Sequence, residues 1–154
     1  MQFELIFPGK TKESYIRQGI DIYVKRLCRH VKVDFKIVRE HKGKGCEQAV
    51  RDNQSEELLK NLSESTLVMG LDCRGRQYSS EGLAELITGW ENQGRVSVAV
   101  VIGGPLGLSR KLLDKADYLL SLSRMTFTHE MVRLIFLEQL YRAYSIKAGS
   151  NYHK

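Results

Sequence analysis

The chain has 154 residues, 42% hydrophobic and 27% charged, with two prolines and no repeated or low-complexity segment. Such a composition points to one soluble globular domain, 1–154, able to bury roughly two-thirds of its unfolded surface, and excludes fibrous and disordered classes. The opening MQFELIFPGK has no basic lead before a long apolar run, and no stretch approaches the ~20 apolar residues of a membrane span, so a cytoplasmic protein is expected.

The net charge is +6, and its placement matters more than its size. Eight bases (Lys25, Arg26, Arg29, Lys32, Lys36, Arg39, Lys42, Lys44) stand against two acids (Asp34, Glu40) between positions 25 and 44, a local +6 that equals the whole excess. With His30, His41 and the HKGKG turn, this segment reads as a phosphate-contacting surface for RNA or DNA; the other readings are a solvated face or a site for an acidic protein. Cys28, Cys46 and Cys73 are an odd number without a CxxC pair, and the four histidines are scattered, so reduced thiols and no metal are expected.

In chain order, Phe3–Phe7 reads as a first strand closed by Pro8 and Gly9. Thr11 or Ser14 starts a helix to about Arg29, with Tyr15, Ile16, Ile20, Tyr23 and Leu27 on one side. From Val31 to Val38 the pattern alternates: Val33, Phe35 and Ile37 face the core, and Lys32, Asp34 and Lys36 face water. A helix over Cys46–Leu62 follows, then a strand, Thr66–Asp72, that ends at an aspartate. Ser79 or Ser80 caps a helix carrying Leu83, Leu86, Ile87 and Trp90, where helical spacing assigns Trp90 to the core rather than to base stacking. Val96–Ile102 is apolar except for Ser97, the pattern of a strand buried on both faces of a parallel sheet. Ser109 caps a short helix to Ala116, a strand covers Tyr118–Leu122, and a strong helix runs from Glu130 to Ile146. Its Met131–Leu137 portion is apolar nearly all round, which calls for burial against the sheet or against another subunit.

Strand and helix therefore alternate about five times, predicting an α/β fold: a mainly parallel sheet with helices on both faces and a ligand at the carboxyl ends of its strands. Three loops lie there: LDCRG at 71–75, GGPLGL at 103–108 and SLSRMTFTH at 121–129. Together they can make one pocket. Gly103, Gly104 and Gly107 suggest that a ligand or a second chain segment presses on their turn, although a tight strand-to-helix connection would use the same residues. GGPLGL lacks the lysine and hydroxyl of a phosphate loop and the GxGxxG spacing of a dinucleotide fold.

The motifs LDCRGRQYSSEGLA at 71–84, VIGGPLGLS at 101–109, SLSRMTFTHEMVRLIFLEQLYRA at 121–143 and the terminal YHK, in this order and nearly end to end, resemble the RlmH family, small large-subunit ribosomal RNA pseudouridine methyltransferases of the SPOUT class. The chain departs from the family pattern at Thr128 and Asn151, where proline is usual. The resemblance implies a SPOUT-type α/β fold with a C-terminal trefoil knot, a homodimer paired through the last helix, and S-adenosylmethionine as methyl donor, with no metal. It implies transfer of the methyl group to N3 of a pseudouridine in large-subunit (23S) ribosomal RNA within the assembled ribosome. The loops that would surround the donor, largely through backbone groups, correspond here to Leu71 and Asp72, to Gly103 and Gly104, and to Leu122, Ser123, Arg124, Met125, Thr126, Phe127 and Thr128. Leu71, Leu106, Leu122 and Met125 can wall the adenine.

Candidate catalytic residues are His129, Arg142, Tyr152 and His153; the last three match tail positions held to complete a neighbouring subunit's site. His129 or His153 could accept the imide proton, and Arg142 could hold a phosphate or a developing negative charge. Each has a structural alternative: His129 as a helix cap, Arg142 paired with Glu138 on its own helix, Tyr152 and His153 on a frayed tail, and Asp72 capping its own turn. Arg124 and Arg133 read as RNA contacts or intersubunit pairs. A non-catalytic ribosome-binding factor is the alternative function, and a small-molecule nucleotide enzyme a more distant one.

Overall fold

A computed structural model describes residues 1–41, 45–63, 66–150 and 152. Five strands alternate with five helices: β1 (Gln2–Pro8), α1 (Ser14–Leu27), β2 (Lys32–Val38), α2 (Glu47–Leu59), β3 (Leu67–Arg76), α3 (Ser80–Asn92), β4 (Ser97–Ile102), α4 (Arg110–Lys115), β5 (Tyr118–Leu120) and α5 (His129–Lys147). All pairings are parallel, in the order β2-β1-β4-β3-β5. The valine-rich run of β4 lies near the centre of the sheet, and Val98 to Ile102 are all buried, as a strand covered on both faces requires. Each such side chain contributes roughly 1.5–3 kcal/mol by leaving water.

The strand period of two sorts the core into two layers. Phe3, Leu5 and Phe7 of β1 point to the side of α1, α3 and α5, where Trp90, Phe136, Leu137 and Leu140 pack with them; Ile6 points to the opposite side, with Leu58 of α2 and Leu112 of α4. Trp90 is a core residue, as its spacing predicted. Ser79 and Ser109 cap α3 and α4, their hydroxyls accepting from the amides of Gly82 (3.0 Å) and Leu112 (3.4 Å).

Several expectations are corrected. The third strand does not end at Asp72 but runs on to Arg76, with a register shift against β5 between Leu71 and Arg76. Of the two starts expected for α1, Ser14 is the one found; the Thr11 hydroxyl instead accepts a hydrogen bond from Arg133. Tyr15, expected on the apolar side of this helix, is 58% exposed. Helix α2 is shorter than its pattern suggested, and two of its buried residues are polar. The Gln54 side chain bonds the Arg39 carbonyl and the His41 amide, and the Ser55 hydroxyl accepts the Ser109 amide. On the edge strand β2, Phe35 and Ile37 remain 38% and 48% exposed, Phe35 packing edge-on against Phe7 of the neighbouring strand at 6.0 Å.

Candidate active site

The strands are parallel, so their carboxyl ends share one edge of the sheet, and the three loops singled out from the sequence meet there. Leu71, Asp72 and Cys73 after the core of β3, Ile102 to Pro105 and Gly107 after β4, and Leu120, Leu122, Ser123, Met125, Thr126, Phe127, His129 and Val132 from the last crossover line one cleft of about 190 Å³. A larger cavity, about 810 Å³, opens at the opposite edge beside Leu67, Arg95 and Tyr118. It lies beside the amino ends of the strands, away from the glycine turn, so size does not identify the site here.

The glycine turn is shaped by its own backbone. Gly107 has φ +74° and donates its amide to the Gly104 carbonyl at 2.9 Å, so the turn folds back on itself. A Cβ on Gly103 would stand 2.7 Å from the Gly107 carbonyl carbon, and one on Gly104 would meet only Pro8 at 3.4 Å. The pressure expected from a ligand or second segment thus comes, at Gly103, from the turn itself. Leu106 leaves the cleft and lines a separate small cavity with Glu40, His41 and Arg51.

The third loop is organised by serines: the Ser123 hydroxyl accepts from the Met125 amide (2.9 Å) and the Ser121 hydroxyl donates to the Ser123 carbonyl (2.9 Å). Met125 and Phe127 stand exposed at the cleft, 74% and 36%, although both are large and apolar. Arg124 and Thr128 do not line it. Thr128 is the N-cap of α5, its hydroxyl accepting from the Met131 amide at 3.2 Å. The capping role considered for His129 therefore belongs to its neighbour. His129 is the first helical residue, half-buried in the cleft, and its imidazolium is disfavoured first by burial and then by Arg133, against opposing attraction from Glu130 and Glu40; Lys12 adds to the lowering. Its pKa falls below the usual histidine value. The positive end of the helix dipole acts in the same direction.

Asp72 lines the cleft but is engaged by its own turn: Arg74 Nε and Nη2 donate to its two oxygens at 2.7 and 2.9 Å, and the Arg74 amide adds a third bond at 3.0 Å. The guanidinium beside it holds the carboxyl below its usual range. Arg133 overturns its expected role as an RNA contact or intersubunit pair. It is fully buried, lies 3.9 Å over the Phe7 ring, and donates to the Pro8 carbonyl (2.9 Å), the Gly9 carbonyl (3.3 Å) and the Thr11 hydroxyl (2.8 Å).

Arg142 and Tyr152 are not in the cleft. Arg142 lies thirteen positions further along the helix than His129, about 20 Å of rise. Arg142 makes the pair with Glu138 (Nη2 to Oε1, 2.6 Å), donates to the Tyr152 carbonyl (3.3 Å) and lies 5.0 Å over the Tyr152 ring. Tyr152 itself is pinned rather than frayed: its hydroxyl meets that of Tyr23 at 3.2 Å and its ring packs edge-on against Tyr141. Burial, with the Tyr23 hydrogen bond, pushes its pKa up to about 12, which keeps the phenol protonated. His153 lies outside the described residues. One chain thus gathers the expected donor loops and His129 at one edge, and holds Arg142 and Tyr152 at the far end of α5.

The basic segment is divided in the same way. Lys32 opens β2 and Arg39 follows its end, seven residues or roughly 23 Å apart at opposite edges of the sheet. Lys32 pairs with Asp34 (2.7 Å) and Lys36 donates to the Asn61 carbonyl (2.9 Å). Arg26 packs against Tyr23, Tyr141 and Tyr152 at the far end from the cleft. Lys42 and Lys44 lie outside the described residues.

The family model described as a predicted SPOUT methyltransferase matches residues 1–153. A protein named ribosomal RNA large subunit methyltransferase H from Desulfotalea psychrophila is 50% identical over the full length of both chains, and proteins of the same name from Halothermothrix orenii and Clostridium novyi are 44% and 42% identical, again over all of both chains. Among solved structures, a probable methylase family protein from Haemophilus influenzae superposes with a TM-score of 0.56 at 16% identity, covering 96% of this chain and 66% of that one, a likeness of fold.

Proposed function

Since this chain belongs to the SPOUT methyltransferase family, we propose that it transfers a methyl group from S-adenosylmethionine to N3 of a pseudouridine in large-subunit ribosomal RNA, within the assembled ribosome. The observation that carries this reading is the convergence of the three loops on one cleft beside His129. Full-length relatives named for large-subunit ribosomal RNA methylation support the substrate. A ribosomal substrate makes the cytoplasm the place of action.

The cleft suits an adenosine-bearing donor. Leu71, Leu122, Met125 and Phe127 offer apolar surface for a purine face, and a glycine turn without side chains lets backbone groups approach its polar edges. The cleft is smaller than the usual small-molecule pocket of about 300–1,000 Å³, so a nucleoside there stays open on one side, where RNA must come in. Bound there, the donor supplies an already activated methyl carbon, and the protein's work is alignment of the reactants and removal of the imide proton. His129 accepts that proton: its lowered pKa keeps the imidazole neutral at physiological pH, with a nitrogen free to receive it. His153 remains the alternative acceptor.

In this reading Arg142 and Tyr152 serve the cleft of a partner subunit. Their distance from His129 within one chain, and the partly exposed apolar side chains of Met131, Val132, Leu134 and Ile135 on α5, support a homodimer built on this helix. Tyr152, protonated, donates a hydrogen bond or stacks rather than accepting a proton. The C-terminal trefoil knot belongs to the same proposal. Its support is the tight passage of β5 against the end of β3: the Ser121 amide bonds the Arg76 carbonyl at 3.0 Å, and a Cβ on Gly75 would lie 2.6 Å from the Leu119 carbonyl.

The deciding experiment is mass spectrometry of ribosomal RNA from cells with and without this gene, with one methyl on a pseudouridine expected to disappear. Calorimetry with S-adenosylmethionine tests the donor: saturable binding is expected, and its absence would leave a ribosome-binding factor without catalysis.

A further inference from the structure

The loop 8–13 between β1 and α1 is held by two charged side chains withdrawn from water. Glu130, 8% exposed, accepts the Lys12 amide at 3.0 Å on each oxygen and the Glu13 amide at 3.1 Å. Arg133, with no exposed surface, bonds Pro8, Gly9 and Thr11 from the next turn of α5. Burying a carboxylate and a guanidinium is costly, and a simple strand-to-helix connection does not need it. The effect is to fix one short loop, with Gly9 at φ +67°, against the first turns of the helix that begins at His129. A Cβ on Gly104 would meet Pro8 Cγ at 3.4 Å, so the loop lies beside the glycine turn and borders the donor cleft. The side chains it leaves exposed include Lys10 and Lys12.

The basic segment 25–44 puts much of its charge elsewhere, at the amino edge of the sheet or in pairs with Asp34 and the Asn61 carbonyl. Loop 8–13 stands at the carboxyl edge, where a nucleotide presented to the donor must lie. We propose that loop 8–13 is a preformed RNA-contacting element of the active site, in which Lys10 and Lys12 hold backbone phosphates flanking the target nucleotide. The inference rests on the reading of this protein as an RNA methyltransferase. A loop fixed in advance loses little entropy when the strand arrives, and its lysines act as point charges that place the strand without reading sequence. The acids on the same side are Glu13, next in the chain, and Glu40, which faces Gly9.

The test uses the full chain, ribosomal particles as substrate and S-adenosylmethionine as donor. In the double variant Lys10→Ala with Lys12→Ala, KM for the particles should rise about tenfold while donor affinity stays unchanged, and the log–log salt dependence of binding should become shallower by about two phosphate contacts. Replacing both lysines with arginine should restore the salt slope, and Lys111→Ala, beside the cavity at the opposite sheet edge, should leave it alone. An unchanged slope in the double alanine variant, with the unaltered protein active, overturns the inference and spares the functional reading. If the unaltered protein moves no methyl group to the particles, that reading falls and takes the inference with it.

Discussion

His129 is the residue whose chemistry is most exposed to test. Burial is the largest cause of its lowered pKa, followed by Arg133, while Glu130 and Glu40 pull the other way. If neutral imidazole accepts the imide proton, turnover rises with pH through a midpoint below the ordinary histidine value of about 6.5 and is flat above it. His129→Gln should lose that acid limb and about a hundredfold in kcat, checked by methyl transfer between pH 5 and 8. Persistence of the limb would move the proton elsewhere. The sign for stability follows the same shift: the unfolded chain binds the proton more readily, so this group costs nothing above the unfolded value and destabilises the fold as pH drops below it. Arg133 carries a different prediction. Arg133→Met strips the Pro8 and Gly9 carbonyls and the Thr11 hydroxyl of their donor and should cost about 3 kcal/mol, seen as a fall of roughly 10 °C in Tm. Its place inside the apolar Met131–Leu137 run is a mark of burial, but arginine is ordinarily exposed and its acceptors lie more than 120 positions away, so the sequence does not name its partners.

At the level of elements, glycines of one motif separate by what surrounds them. Gly103→Ala drives a Cβ into the Gly107 backbone at 2.7 Å, and Gly75→Ala drives one into Leu119 at 2.6 Å; neither neighbour is a flexible side chain that can swing away. Both substitutions should open the donor cleft and weaken S-adenosylmethionine binding at least about tenfold by calorimetry, a misplacement cost of the kind expected when site geometry shifts by ~1 Å. Gly104→Ala meets only Pro8 at 3.4 Å, so the turn should keep its shape and Tm change little, while the added methyl, in the cleft lining where close backbone approach is proposed, should still weaken S-adenosylmethionine binding. From sequence alone Gly103 and Gly104 are equivalent. The elements themselves were readable because hydrophobic period, serine caps and glycine stops agreed with one another at β4, α3 and α4. Reading failed where long-range contacts override local pattern: β3 runs past Asp72 because Arg76 pairs with β5, and Gln54 and Ser55 are buried because distant backbone groups need their hydrogen bonds.

For the whole molecule, the decisive fact is direction. A parallel sheet turns a cluster in sequence into two groups at opposite edges, so the basic segment 25–44, continuous in the chain, is divided in space, and His129 is parted from Arg142 by the length of their shared helix. Local patterns carry no such information: the three donor loops could be anticipated as one pocket from the parallel order of the strands, whereas the parting of Arg142 and Tyr152 from His129 was implied only by the family resemblance. The separation makes a dimer prediction that a single-chain site does not share. His129→Ala and Arg142→Ala proteins should each be nearly inactive alone. Denatured together in equal amounts and refolded, half of the dimers are mixed, and in each mixed dimer one of two sites joins an intact His129 to an intact Arg142. About a quarter of the sites, and so about a quarter of the original methyl transfer, should return. Were both residues supplied by one chain, every site would contain a defect and mixing would restore nothing, so the measured recovery decides whether the far end of α5 serves its own cleft or the neighbour's.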